Sequence, residues 1–329
     1  LFTLLRELRR NGMAMIYVSH RLDEVMAISD RAAVMRDGKL VAVRTTAQTS
    51  ESELVNLIVG KALASSVPKA ESPQGGEAVL ELDQVASGNA GPLSFKVRRG
   101  EVVGLIGLRG AGHEAISRAL FGREPLSAGR MMMLGRPVRY RAPSDAIRVG
   151  VAYVASERLD ENLAGSMNVL ENLFPNPALH GERGLALDRR RKEHEAAMAL
   201  IRRFDVNPPA PGAEVQQLSG GNQQKVVLAR WFHLDKPLVV LEEPTAGVDV
   251  GAKRQIYDVL RERANAGSAL IVVSTDFEEV ATVCTRVLVF RDGLVTAELT
   301  GKNISVERLL VLAAGGAAHQ ASPETLETT

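Results

Sequence analysis

The segment EVVGLIGLRGAGHEAISRALFG (101–122) constrains the fold more than any other part of this chain. Its apolar run Val102–Ile106 has the length and unbroken hydrophobicity of a strand buried on both faces. Glycines follow at Gly107, Gly110 and Gly112, and a helix period begins directly after them. Strand, glycine loop and helix in that order let backbone N–H groups converge on a phosphate at the helix start. The spacing Gly107-x4-Gly112 is that of a phosphate loop whose next two residues are Lys and Ser or Thr, the first reaching the β/γ-phosphates and the second Mg²⁺. Here those positions hold His113 and Glu114. A neutral imidazole does not replace a permanent ammonium, and Glu114 adds negative charge beside the phosphates. Taken alone, the three glycines also fit a plain structural turn.

The rest of the chain extends this α/β pattern. AVLELDQVAS (78–87) reads as a strand, and LSFKVRRGEVVGLIGL (93–108) as two strands around a turn at Arg99–Gly100. PLVVLEE (237–243) and SALIVVS (268–274) are short Val/Ile/Leu runs of the kind found in central parallel strands. Residues 160–230 read as mostly helical, interrupted near Pro175–Pro177 and Pro208–Pro211. Within them LDRRRKEHEAAMALIRRFDV places Ala197, Leu200, Ile201 and Phe204 on one face, with its arginines as a solvated face.

Two further stretches carry chemistry. VQQLSGGNQQKVVLARW (215–231) sets Ser219, Gly220 and Gly221 before a helix, with Asn222 and Gln223 in its first turn. A hydroxyl and backbone N–H groups can converge there on an anion, although Ser-Gly-Gly-Asn also serves as an ordinary capping turn. Gln224 and Lys225 read as helix surface. PLVVLEEPTAGVDV (237–250) ends a buried strand in Glu242 and Glu243, a costly arrangement unless the carboxylates serve a metal, move a proton or reach water. Glu242 stands where a carboxylate would hold Mg²⁺, and Glu243 where one would orient or activate water. Asp249 suits a helix cap.

The chain also repeats itself. Residues 1–60 align with 256–315 at a constant offset of 255. MIYVSHRLDEV (15–25) falls on LIVVSTDFEEV (270–280), DRAAVMRDG (30–38) on TRVLVFRDG (285–293), and LLRELRRNG (4–12) on VLRERANAG (259–267). The shared Ser19 and Ser274 and the common Arg-Asp-Gly go beyond what an apolar period alone produces. The expected organisation is therefore the end of a first domain (1–60), a Ser/Pro/Gly-rich linker (61–77), a second domain (78–315, helical part about 160–230) and a disordered tail (316–329). The counterparts of residues 78–255 are expected upstream of Leu1.

Bulk properties exclude several classes. A formal charge of +1 and 4% aromatic residues provide neither the basic surface nor the stacking platform of a nucleic-acid binder. Cys284 is the one cysteine, so no disulfide or multi-cysteine metal framework is available, and its Val-Cys-Thr setting suits a small core residue. No run approaches eighteen apolar residues. A cytosolic location is expected, with any membrane role exercised through a partner.

Together these motifs resemble the ATP-binding-cassette family: a worn phosphate loop, an LSGGNQQ signature, an extended acidic strand end, the Ala246–Asp249 loop and a switch segment after the last parallel strand. The Asn-Gln-Gln signature, PTAGVDVGAK (244–253) and YVASERLDENL (153–163) look more narrowly like the duplicated ATPase subunit of bacterial ribose, galactose and xylose importers. The resemblance covers residues 1–315. It implies a P-loop-type α/β cassette with a helical subdomain, preceded by the C-terminal end of a similar domain. It also implies ATP and Mg²⁺ as cofactors, with each ATP held between the phosphate loop of one copy and the signature of the other.

By that resemblance His20 is the switch histidine of the first copy, and Leu218–Gln223 close the site whose phosphate loop belongs to that copy. In the second copy Thr275 stands in the histidine's place and Ser156 near the usual glutamine. The implied partners are two transmembrane permease subunits and a periplasmic sugar-binding protein, at the cytoplasmic face of the inner membrane. An importer of nucleosides and a soluble regulatory cassette are the competing readings. Arg158 and Glu157 read either as a surface ion pair or as part of the surface that meets a membrane partner.

Overall fold

The computed structural model describes residues 2–18, 22–36, 39–50, 53–54, 57, 76–175 and 186–315. Residues 58–60, residues 61–75 of the expected linker, the tail 316–329 and His20 lie outside the described residues. The chain divides into two compact units, Leu1–Pro68 with Val248–Gln255, and Lys69–Gly247 with Ile256–Thr329.

The smaller unit contains the helices Phe2–Arg10 and Leu22–Ile28 and an antiparallel hairpin of β1 (Arg31–Arg36) and β2 (Lys39–Thr45). Its core is slight: Ala32, Val34 and Leu54 are buried, with Val25, Met26 and Leu57 against them. Residues 13–18, which align with a central strand of the second copy, form no strand. Ile16 is 97% exposed and Val18 91%.

In the larger unit, β5 (Val102–Gly107), β8 (Val151–Val154), β9 (Leu238–Glu242), β10 (Ala269–Ser274) and β11 (Arg286–Arg291) run parallel. β12 (Leu294–Thr300) closes one edge antiparallel, giving the order β12-β11-β5-β10-β9-β8. Every residue of β5, β8, β9 and β10 is buried, which is why these strands read as continuous apolar runs. A second, antiparallel sheet has the order β4-β3-β6-β7, from β3 (Ala78–Ser87), β4 (Ala90–Arg98), β6 (Ala128–Met133) and β7 (Arg136–Val138). One core joins the two sheets through the helix His113–Leu120, whose Ile116 and Leu120 are buried with Leu80, Phe95, Leu105 and Val240. Phe121 stacks on Tyr153 at 4.6 Å and meets Trp231 edge-on.

The helical part contains Val169–Leu173, Ala186–Arg203 and Gly220–Phe232. Ala197, Leu200, Ile201 and Phe204 are buried, as their spacing requires, while Arg202 and Arg203 are exposed. Gln224 and Lys225 correct the reading made from sequence: they are 2% and 7% exposed rather than surface residues. The helix Gly220–Phe232 packs against both other helices and β8, so little of its circumference meets water. The Lys225 stem is buried while its ammonium donates to the Asp205 carbonyl at 2.7 Å. Cys284 is buried, as expected of a small core residue.

Candidate functional site

Parallel strands bring their carboxyl ends to one edge, and side chains placed just past those ends share a crevice. Register fixes which ones meet here: Ile106 pairs with Ser274, Val273 with Glu242, and Leu241 with Val154. The residues after β5, β8, β9 and β10 therefore converge. A small cleft of roughly 30 Å³ is lined by His113, Glu114, Arg118, Ser156, Glu242, Glu243 and Val273. That is space for about two water molecules.

The loop above the cleft has the shape expected of a phosphate cradle. Gly110 and Gly112 adopt φ of 83° and 102°. A Cβ at Gly112 would lie 3.0 Å from the Ala90 side chain and 3.1 Å from the Gly293 backbone, so glycine is required there by both conformation and space. Beyond it, His113 opens the helix His113–Leu120 but is fully buried and turns toward Gly107 and Phe290. Both of its ring nitrogens lack a partner. Burial lowers its pKa, against the upward pull of Glu114 and Glu243, so the ring is neutral at pH 7.

Glu242 is 3% exposed. Ser117 Oγ donates to its Oε1, the Ser156 N–H donates to Oε2 at 3.4 Å, and Arg118 Nε lies 4.0 Å away. Among the described residues no group of three or more His, Cys, Asp or Glu side chains converges as a metal site would require. Glu243 has the left-handed φ of 44°, sparsely populated for a residue with a Cβ. Its N–H donates to the Val273 carbonyl at 2.8 Å. Its carboxylate accepts from the Thr275 N–H at 2.7 Å, Thr275 Oγ1 at 2.8 Å and Ser274 Oγ at 3.1 Å. Thr275 thus holds the Glu243 carboxylate directly.

Ser219, Gly220, Gly221, Asn222 and Gln223 do not line this cleft. They form the opening of the helix Gly220–Phe232, with Ser219 exposed at its N-cap. Asn222 Nδ2 donates to Ser219 Oγ at 2.9 Å, and its Oδ1 accepts from the Asn207 N–H at 2.8 Å. Gln223 is buried and donates to the Val215 carbonyl. Asp249 Oδ1 accepts from the Ala252 N–H at 2.9 Å, capping the helix Val250–Asn265.

Several contributors were not apparent from sequence. Ser117 lies one helical turn after His113, so an i,i+4 reading of the helix places it on the same side. Arg118 follows Glu114 by the same helical spacing, whereas Ser274, at the end of β10, and buried Glu279, on the helix Phe277–Val283, reach Glu243 and Thr245 through tertiary packing. Arg158 has contacts that neither sequence reading anticipated: its guanidinium donates to the Gly220 carbonyl at 3.1 Å and the Ala246 carbonyl at 3.0 Å.

Residues 90–246 match the ABC transporter family. A ribose import ATP-binding protein of Bacillus licheniformis is 39% identical over 318 residues, covering 96% of this chain and 64% of that protein. A putative ribose/galactose/methyl galactoside import ATP-binding protein of Burkholderia cenocepacia is 38% identical over 315 residues, covering 95% and 61%. The chain thus spans less than two thirds of the length of these relatives. Among solved structures, a nucleotide-free ATP-binding cassette from an ABC transporter superposes with a TM-score of 0.60 at 19% identity, over 71% of this chain and 95% of that one. An ATP-binding subunit of an ABC transporter gives 0.58 at 22%, over 72% and 99%.

Proposed function

We propose, from the match of residues 90–246 to the ABC transporter family and the likeness to ribose import ATP-binding proteins, that the chain belongs to that family and serves a two-cassette ATP-binding subunit of a bacterial sugar importer. In this reading residues 78–315 are the second cassette and residues 1–60 the end of the first. ATP binding draws the two cassettes together and hydrolysis releases them, a two-state movement that can gate a membrane partner. The partners are two transmembrane permease subunits and, through the assembled complex, a periplasmic sugar-binding protein. The chain works at the cytoplasmic face of the membrane; among its described residues no helix is long and apolar enough to cross one.

The two phosphate-facing elements of the second cassette have different tasks. Its own cleft keeps the glycine shape of a nucleotide cradle but not the charge. Carboxyl groups outnumber the single guanidinium three to one, the ammonium position holds a neutral inward-turned imidazole, and the Glu242 oxygens are occupied by Ser117 and Ser156. Mg²⁺–triphosphate does not fit this set: a like-charge contact at 4 Å costs about 4 kcal/mol even at an effective dielectric of 20. The helix N-terminus at Ser219–Gln223, where Ser219 is exposed, is instead the lid over ATP cradled by the first cassette, where His20 is the switch histidine.

The charge of the cleft carries this reading. It is tested by purifying residues 1–329 and measuring Mg²⁺-dependent ATP hydrolysis. Negligible turnover, equal in the wild type and in Glu243→Gln, is expected; turnover that Glu243→Gln abolishes would refute the degenerate second site.

A further inference from the structure

The signature helix Gly220–Phe232 is tied to the segment after β8 at two places. At its start Arg158 Nη1 donates to the Gly220 carbonyl. One face further along, Arg230 donates back to the Asn162 carbonyl and, through Nε at 2.6 Å, to the Asn172 carbonyl. Gly220 and Arg230 are ten residues apart, about 15 Å along a helix, so two straps at that separation oppose tilting as well as sliding. The segment they grip is itself pinned. Asn162 is buried, accepts from the Ala155 N–H at 3.1 Å, and donates to the carbonyls of Ala155 at 2.9 Å and Glu157 at 3.0 Å. Adjacent Ser156 reaches Glu242 in the cleft.

Arg158 differs from Arg230 in also reaching the turn after the acidic strand. The same Nη1 donates to the Ala246 carbonyl, in the turn that follows Glu243. The space around the guanidinium is shaped for it: a Cβ at Gly220 would lie 3.1 Å from Nη2 and 3.3 Å from Nη1, and one at Gly247 3.2 Å from Nη2. One planar group therefore joins three chain segments that meet nowhere else through a single side chain described above: the stretch leaving the cleft, the signature and the turn after the acidic strand. Its partners are backbone carbonyls, so what it senses is main-chain position.

We propose that Arg158 is a positioning residue that locks the start of the signature helix to the Ala246–Gly247 turn, so that the lid and that turn move as one body with the segment leaving the cleft. Under the function proposed above, on which this rests, a change at Ser156 or Glu242 reaches the phosphate-facing lid through Arg158.

The experiment is hydrogen–deuterium exchange on the whole chain without nucleotide, comparing wild type, Arg158→Met and Arg158→Lys. Methionine keeps much of the apolar stem and removes every donor; lysine keeps a charged donor. Charged hydrogen bonds of this kind correspond to roughly tenfold or more in local opening. Arg158→Met is expected to speed exchange about that much in peptides covering both 216–224 and 244–248, with β5 and β10 unchanged and with substantial recovery in Arg158→Lys. A packing role alone would leave Met and Lys alike. Wild-type protection in Arg158→Met, loosening of one peptide without the other, or no recovery in Arg158→Lys would overturn the proposal. Should Arg158→Met unfold the domain, Arg158→Lys decides: native protection of both peptides supports the lock, and loss in either refutes it. A second arm adds Mg²⁺ and ATP to the wild type together with a separately produced first cassette. Absence of nucleotide-dependent protection at 219–223 there would count against the lid reading while leaving the exchange result for Arg158 standing.

Discussion

Glu243 holds a backbone conformation that costs on the order of 1–3 kcal/mol for a residue with a Cβ, and the polar groups around its carboxylate hold it in place. Ser274 and Thr275 donate to that carboxylate, and behind them sits Glu279, 1% exposed, accepting from Thr245 Oγ1 at 2.7 Å. Burial pushes the Glu279 carboxyl up from its ordinary 4.5 to about 7; Asp276 and Glu243 add to the rise, and hydrogen bonds with Thr245 and Ser274 oppose it. The sign of the resulting pH dependence follows from which state gives up its proton first. Below pH 4.5 both folded and unfolded chains hold the proton, and between 4.5 and about 7 only the unfolded chain releases it. Stability is therefore lost as pH rises through this window, by up to about 3 kcal/mol, and levels off above it. Urea unfolding at pH 5, 6, 7 and 8 should show this fall in the wild type. Glu279→Gln, neutral throughout and still able to accept from Thr245, should lack that contribution. An identical slope in both proteins would show that Glu279 is not the group responsible.

Among the elements, the signature helix depends on polar anchoring as much as on its apolar face. Arg230 is largely buried, and burial lowers its pKa to about 10, so it remains charged at neutral pH. Its donors go to Asn162, Asn172 and the Asn172 side chain. Replacing it with Met fills much of the volume but leaves two backbone carbonyls without their charged donor. A loss of roughly 2–4 kcal/mol is expected, read as a lower urea midpoint with an unchanged slope. A midpoint within experimental error of wild type would mean that water replaces the guanidinium freely. The sequence indicated that a helix begins near Ser219 and that Ala197, Leu200, Ile201 and Phe204 face a core. It did not reveal that Gln224, Lys225 and Arg230 face inward too, because polar residues read as surface until a partner for each is known. Carbonyl partners leave no trace in residue identity.

At the scale of the whole molecule, the internal repeat provides its own control experiment. Ile16 and Ile271 occupy the same place in MIYVS and LIVVS, yet Ile16 is 97% exposed and Ile271 fully buried. Ile271→Lys puts an unpaired charge in a central strand and should cost more than about 4 kcal/mol, enough to prevent folding of the larger unit. Ile16→Lys should change stability by no more than about 0.5 kcal/mol. Circular dichroism melts of the two variants distinguish these outcomes; equal effects would mean that residues 13–18 are packed after all. Amino-acid order alone was sufficient for the strand at 102–107, the glycine loop, the parallel runs at 238–242 and 269–274, and the signature helix, because burial on two faces and tight turns demand particular residue types locally. It was also sufficient for the unusual pair His113–Glu114. Tertiary structure decided the rest. A strand is completed by hydrogen bonds from neighbours, so β10 between β5 and β9 becomes a core strand, while its counterpart, with no described strand alongside, does not. The direction in which His113 turns, the capture of Glu243 by Thr275 and the reach of Arg158 to two carbonyls depend in the same way on chain segments distant in sequence, whose approach no local pattern encodes.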